Sequence, residues 1–495
     1  MIRPEDFANL LSTVRNAIAV DLRPDLQSDH IRAEAGALTL ILDRLITQLR
    51  DGEAVASQRV PEWQQIRSQL HALSVGTVND SPGTSGFMGS VATLHSGIAD
   101  VQRTLSEPQA FERLGQQLKS DDRRTRAWLK QTVAALSDLA EAFEPKASTS
   151  KPLAATKATP PPDESLQLRD ALNAYLHKRY PSLPSEPITR FKIVPGGHTK
   201  QTAIFAVTPN DVLPEHLVLR RDLALSITGT SVIDEFPILE RVYALGLPIP
   251  KPVLVEPDSS VLDGTFMIMT EVVDAVVAGT YFPEERRLAP RNVGPDFGKE
   301  VAQVLAGLHA GTQVAEATPT TDKQKSVVEL FQAWTAMEKP PASLSIDLGF
   351  AWLMNKPLPN RPRCLIHGDV GTHNILVRDG HLVALIDWEL AHPADPAEDL
   401  AQCRMMLLPD TMPWDAFVRE YIAAGGNPHA CDDAAVAWYC IYTYLKHGLM
   451  NAKLRARYLS GARDDVIAAS VASHYFERLM QYQARALQLA VSATR

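Results

Sequence analysis

The chain has little cysteine: four residues in 495, Cys364, Cys403, Cys431 and Cys440, none of them in a CxxC pair. That excludes a disulfide scaffold and offers neither dithiol nor zinc-finger spacing, so the thiols read as reduced core or surface residues. No run of about 18 apolar residues occurs, so no helix is expected to span a membrane. The first residues, Met-Ile-Arg-Pro-Glu-Asp, lack the apolar stretch of a secretory signal, and the expected location is the cytoplasm. Positive charge is not in excess either: the formal net charge is −9. The broad basic footprint of nucleic-acid binding is missing, and neither nucleic acid nor membrane is an expected partner. No period of 20 to 50 residues repeats, which excludes a solenoid.

What is present is globular composition, 45% hydrophobic and 22% charged, over a length that suits two or three domains. The clearest boundary is 145–165, rich in Pro, Ala, Ser and Thr. It has little to bury and reads as an extended tether. Residues 1–144 read as an all-α domain. Pro4, Glu5 and Asp6 open a helix carrying Leu10, Leu11, Val14 and Ile18. A second helix carries Ile31 to Leu49 and is expected to end near Gly52. Shorter helices are expected over 61–73, 91–105, 108–119 and 122–142, with a glycine-rich loop from Gly76 to Ser90. No chemical motif occurs here, and the expected role is a bundle for a protein partner, self-association or support. The remainder is expected to be α+β. A helix over Leu166–Tyr180 precedes strands at Phe191–Val194, Ala203–Val207, Leu217–Arg220, Val253–Val255 and Phe266–Glu271, with a helix at Ile233–Leu245 among them. From about 295 onward the chain reads as mainly helical.

Residues 364–400 read CLIHGDVGTHNILVRDGHLVALIDWELAHPADPAEDL. A short apolar run stops at His367-Gly368-Asp369, and Asn374 follows five residues after Asp369. Ile375 to Val377 reads as a strand, Arg378-Asp379-Gly380 as a turn, and Leu382 to Ile386 as the returning strand. That hairpin delivers Asp387 back toward Asp369 and Asn374. Three oxygen-bearing side chains at one end of a hairpin suit a hard cation such as Mg2+, which takes its other oxygens from water and phosphate. Asn374 and Asp387 would hold it against a nucleotide. Asp369, free of the metal, would accept or orient the proton of an acceptor hydroxyl. Each piece alone would read as a strand-capping turn; the joint spacing carries the chemistry.

The segment resembles the aminoglycoside phosphotransferase-like kinases, small-molecule relatives of protein kinases. Their catalytic loop reads HGDxxxxN and their metal segment IDWE followed by DPxxDL, here Asp395 to Leu400. Ala394 stands where members often carry glycine. The resemblance covers roughly 170–485 and implies a bilobal protein-kinase-like fold, with a nucleotide-binding N-lobe over 166–275 and a catalytic, acceptor-binding C-lobe over 276–495. It implies ATP and Mg2+, Asp369 as catalytic base, Asn374 and Asp387 as metal ligands, and His367, Asp395 and Asp399 as supports of the loop. In the N-lobe it implies a glycine-rich turn in which Gly196 and Gly197 approach the phosphates and Thr199 and Lys200 reach them. Arg220 stands in the place of the usual strand lysine, and Glu235 is the helix acid that pairs with it. Met269, Glu271 and Val273 belong to the strand and hinge around the base. No Asp-Phe-Gly or Ala-Pro-Glu segment occurs, which weighs against a protein kinase.

On the acceptor side, Trp438, Tyr442, Lys446 and His447 are the candidate contacts. Polycationic aminoglycosides need acidic surfaces, whereas this segment offers aromatics and bases. It points to a hydroxy acid, a hydroxyacyl thioester, an alcohol or a phenol. The alternative is a pseudokinase-like binding or regulatory subunit acting with a partner enzyme, against which the intact Asp369, Asn374 and Asp387 count. Arg3 to Asp6 and Ile31 to Ala35 also weakly resemble a helical domain associated with such kinases, implying a partner enzyme or subunit.

Overall fold

Helix α1 (Asp29–Ser74) runs without a break through Gly52 and Pro61, where the sequence suggests an end and a new start. Proline inside a helix costs roughly 3 kcal/mol, and burial outweighs it. Trp63, Ile66 and Leu70 enter the core with Trp128, Leu129 and Val133 of a later helix, and the Trp128 indole N–H donates to the Ile66 carbonyl at 3.1 Å. Each such side chain contributes about 1.5–3 kcal/mol. The computed structural model describes residues 29–74, 108–119, 123–142, 162–194, 200–223, 230–287, 291–318, 320–337, 343–461 and 469–493, with residues 11, 12, 14, 15, 18, 98 and 101 besides. The opening helix, the helix at 91–105, the loop Gly76–Ser90 and the tether lie wholly or largely outside them.

Helices α2 (Pro108–Lys119) and α3 (Arg123–Ala142) complete the N-terminal part. Next come α4 (Pro162–Arg179), β1 (Ile188–Val194), β2 (Lys200–Val207), β3 (His216–Asp222), α5 (Val232–Ala244), β4 (Pro252–Glu256) and β5 (Phe266–Thr270). The strands form an antiparallel sheet in the order β1-β2-β3-β5-β4. Alternation divides its residues. Leu217, Leu219, Phe266 and Ile268 pack beneath Leu172 and Leu176 of α4, whereas Met267 and Met269 lie in the core that includes α5. Arg220 belongs to the α5 face, where it meets Glu235. Arg221, one residue on, bonds to the Leu262 carbonyl and Gln201. A capping box of Ser231 and Asp234 starts α5, which places Glu235 in its first turn and Pro237 just beyond.

The second lobe contains β6 (Val276–Val277), α6 (Pro283–Arg287), α7 (Phe297–Gly311), β7 (Val314–Thr318), α8 (Thr320–Thr335), α9 (Leu344–Asn355), β8 (Arg361–Ile366), β9 (Ile375–Arg378), β10 (His381–Leu385), β11 (His392–Ala394), α10 (Ala397–Gln402), α11 (Trp414–Ala423), α12 (Asp433–Leu459) and α13 (Phe476–Ala493). Two small sheets, β10-β9-β6 and β11-β8-β7, frame the site. The β9–β10 hairpin turns at Asp379 and Gly380, both left-handed at φ 51° and 84°, the primed geometry that matches strand twist. The whole is α+β and bilobal, with a protein-kinase-like arrangement preceded by helices. Those N-terminal helices share the C-lobe's core. Phe111 of α2 stacks on Phe331 of α8 with ring centres 5.8 Å apart, and α3 packs along α13. No described helix is long and apolar enough to cross a membrane.

Candidate active site

The loop between β8 and β9 is held by two side chains of α10. Asp399, fully buried, accepts the backbone N–H groups of His367 and Gly368, each at 2.8 Å, and faces His309 Nε2 at 3.1 Å. Gln402 accepts the Val370 N–H at 2.7 Å and donates to the Gly368 carbonyl at 3.0 Å. Gly368 sits at φ 78°, where a Cβ would lie 2.4 Å from the Leu390 carbonyl oxygen, so only glycine fits. His367 stands inside this frame. Its Nδ1 accepts the Asp369 N–H at 3.2 Å, and its Nε2–H donates to the Ile386 carbonyl at 3.0 Å. Burial depresses its pKa against the pull of Asp399 and Asp369, and the neutral ring that results supplies one donor and one acceptor.

Asp369 Oδ2 accepts from Asn374 Nδ2 at 2.9 Å and faces His373 Nε2 at 3.3 Å. Burial pushes this carboxyl up. The attraction and hydrogen bond of His373 lead the opposing effects, and the carboxyl is held below the usual carboxylate range. Asn374 Nδ2 also bonds the Asp369 carbonyl at 3.1 Å, so its amide nitrogen is committed and its oxygen is the group left to bind. Asp387 follows β10 at φ 67°. Its Oδ1 accepts from Arg220 Nη2 at 2.8 Å, and Arg220 Nη1 reaches Glu235 Oε1 at 2.9 Å. Burial raises the Asp387 carboxyl, and Arg220 brings it below the ordinary value. Glu235 goes the other way, because burial outweighs its cations.

The structure thus brings Asp369, Asn374, Asp387, Arg220 and Glu235 together. The other sequence candidates are placed as follows. Gly196, Gly197 and Thr199 lie outside the described residues. Lys200 is not a turn residue but the buried first residue of β2, with Nζ 2.6 Å from Glu389 and 3.6 Å from Glu235. Met269 is packed in the core. Glu271 is committed through its carboxylate to Arg190 and through its N–H to the His216 carbonyl, and the Val273 carbonyl accepts from Arg378. Asp395 does not touch the catalytic loop. It pairs with Arg361 at 2.8 Å and accepts the Ala397 N–H at 3.0 Å, which ties β8 to α10. Trp438 is buried against Tyr439 and stacks on Tyr442, so it is a core aromatic. Lys446 pairs with Glu398 at 2.6 Å, while His447 Nδ1 lies 2.9 Å from Tyr281 Oη.

Sequence reasoning missed Tyr281, His373 and Gln402. His373 stands within the His-Gly-Asp loop itself and was findable there. Tyr281 lies in an irregular segment with no periodic signal. Arg286 Nη1 holds the carbonyls of Thr280 and Tyr281 at 2.9 and 3.0 Å, and Thr372 Oγ1 donates to the Thr280 carbonyl at 2.6 Å.

A sheet with a cation–acid pair, a catalytic loop and a hairpin-borne acid define a protein-kinase-like phosphotransferase. Residues 190–438 match the model of the phosphotransferase enzyme family, and the chain belongs to that family. It is 26% identical over 268 residues to acyl-CoA dehydrogenase family member 11 of Mus musculus, covering 51% of this chain and 33% of that protein. The chain therefore spans about a third of that relative's length. Among solved structures, the choline kinase of Streptococcus pneumoniae aligns at 15% identity with a TM-score of 0.44, covering 64% of this chain and 99% of that one. A choline/ethanolamine kinase family protein from Mesorhizobium loti aligns at 15% identity and a TM-score of 0.41, covering 65% and 99%. The family assignment rests on the family model.

Proposed function

We propose that the chain transfers the γ-phosphoryl group of ATP to a hydroxyl of a small molecule. The observation that carries this reading is the Asp369–Asn374 pair opposite Asp387. The Asn374 amide nitrogen is fixed on Asp369, which leaves its oxygen as a hard donor beside that of Asp387. These two donors fit Mg2+ with phosphate oxygens and water as the other ligands. When bound, the ion neutralises charge on the phosphates. Arg220 contributes further positive charge, and Gly196, Gly197 and Thr199 are the candidate phosphate contacts in the sequence. The Glu271 carbonyl and the Val273 N–H, hinge groups with no hydrogen bond among the described residues, read the base.

Asp369 orients the acceptor hydroxyl. As the acceptor oxygen bonds to the γ-phosphorus, the bridging oxygen leaves with ADP and the proton passes to the Asp369 carboxylate. So acidic a group positions the hydroxyl rather than pulling its proton early, and phosphoryl transfer asks little more. The acceptor is a hydroxy acid, hydroxyacyl thioester, alcohol or phenol rather than an aminoglycoside, because Lys446 and His447 stand near Asp369 and Lys446 already pairs with Glu398. The acyl-CoA chemistry in the mouse relative's name agrees with a thioester among these. Residues 1–144 serve support, a protein partner or self-association.

The test is acceptor-dependent ADP release with Mg-ATP and a panel of hydroxy acids, alcohols and phenols. Turnover well above an Asp369→Asn control is expected. If no panel member stimulates release above that control, the transferase reading fails and a binding or regulatory role replaces it.

A further inference from the structure

Tyr281 carries a hydrogen-bond donor that no described residue uses, and the reason lies in the loop before β9. The Gln402 amide is oriented by that loop, with Oε1 on the Val370 N–H and Nε2 donating to the Gly368 carbonyl. The same Nε2 lies 3.4 Å from His447 Nε2, which must therefore accept. Burial, ahead of the opposing pull of Asp369, brings the His447 pKa down to about 4. The ring is neutral, and its one proton sits on Nδ1. That proton is donated to Tyr281 Oη at 2.9 Å. The phenol has then received a hydrogen bond and keeps its own hydrogen to give, with no acceptor for it among the described residues. Burial beside Asp369 holds the phenol well above its ordinary pKa, so the hydrogen stays in place.

Tyr281 is also fixed where this donor matters. Its backbone is clamped by Arg286. Its ring meets His373 edge-on at 4.9 Å, and His373 faces the Asp369 carboxylate at 3.3 Å. Of the carboxylates nearby, Glu398 pairs with Lys446 and Asp369 is engaged by Asn374 and His373.

We infer that Tyr281 donates its phenolic hydrogen to an oxygen of the acceptor beside the hydroxyl that is phosphorylated, and so selects hydroxy compounds bearing a carboxylate or carbonyl over simple or cationic alcohols. This rests on the phosphotransferase reading above. His447 and Gln402 are positioning residues: they set the direction of the donor without touching the acceptor. A site built to donate to an oxygen rejects the analogue that lacks it, because the buried donor is left unpaired.

The full chain is assayed with Mg-ATP and four probes: 3-hydroxybutyrate, its methyl ester, 2-butanol and choline. Wild type should give a higher kcat/KM for the two hydroxybutyrates than for the alcohols. Tyr281→Phe should lower that ratio about 10- to 100-fold, mostly through KM, with folding checked by Tm. His447→Asn should shift it in the same direction and carries the comparison if Tyr281→Phe does not fold. A wild type that prefers 2-butanol or choline, or a Tyr281→Phe ratio within twofold of wild type, overturns the inference while the phosphotransferase reading stands. Absence of acceptor-dependent ADP release above Asp369→Asn with all four probes overturns the reading itself, and the inference with it.

Discussion

The Arg220 guanidinium bridges Glu235 of α5, at 2.9 Å, and Asp387 after β10, at 2.8 Å. One cation joins the N-lobe helix to the segment that follows the catalytic hairpin. Arg220→Ala leaves two acids with Lys200 as their remaining nearby cation. Asp387 is partly exposed, so the stability loss should be at most about 3 kcal/mol. The KM for nucleotide should rise at least tenfold. Thermal unfolding and nucleotide titration check both; unchanged values would move the phosphate contact to another residue.

Asp387 occupies a left-handed backbone position, φ 67°, which Asn tolerates better than Ala. Asp387→Asn and Asp387→Ala should both lose Mg2+-dependent ATP binding. Only the alanine variant should carry added backbone strain, about 1 kcal/mol. Calorimetric ATP titrations with and without Mg2+ measure the first effect and denaturant unfolding the second. Normal Mg2+ dependence in the alanine variant would remove Asp387 from the metal site.

Asp399 gathers the N–H groups of His367 and Gly368 and the His309 ring. Asp399→Ala leaves these buried donors unpaired, and a loss of about 3 kcal/mol or more is expected. Because the loop that carries Asp369 loosens, kcat should fall more than the nucleotide KM changes. A variant with wild-type kcat and Tm would show that the loop is held by Gln402 alone.

His447 gives the protein a pH dependence of known sign. Its folded pKa is depressed to about 4 by burial, against an unfolded value of about 6.5. Between those values the unfolded chain binds a proton that the folded chain refuses. Stability is therefore full above about pH 6.5 and falls as pH drops toward 4, by up to about 3 kcal/mol from this group. His367 is shifted in the same direction, so His447→Asn should flatten the slope without abolishing it. Denaturant unfolding at pH 7.5, 5.5 and 4.5 measures it. Identical slopes in wild type and variant would mean that His447 is not buried neutral.

The legible part of the site is the part confined to one hairpin. Asp369, Asn374 and Asp387 lie within 19 residues of sequence, so strand alternation and turn chemistry are enough to converge them. The pair of Tyr281 and His447, 166 residues apart, leaves no local trace, because its geometry depends on packing between an irregular segment and a long helix. Lys200 follows a glycine-rich turn and reads as a loop residue. Its burial depends on Glu389, 189 residues away. The strands of the N-lobe were legible from their alternation, whereas β6 and β11, of two and three residues, are too short to show one. Helix α1 was misread at Gly52 and Pro61 because propensity is weaker than the burial of Trp63 and Ile66. The union of the N-terminal helices with the C-lobe was not legible, since an apolar helix face does not name what covers it.

The central claim is γ-phosphoryl transfer positioned by Asp369. Phosphorus NMR of the full chain with Mg-ATP and an accepted hydroxy compound tests it most directly. The expected result is a new phosphomonoester resonance that grows as the γ signal declines, needs Mg2+, and is reduced at least a hundredfold in Asp369→Asn. Free phosphate as the sole product, or equal ester formation by Asp369→Asn, would contradict it.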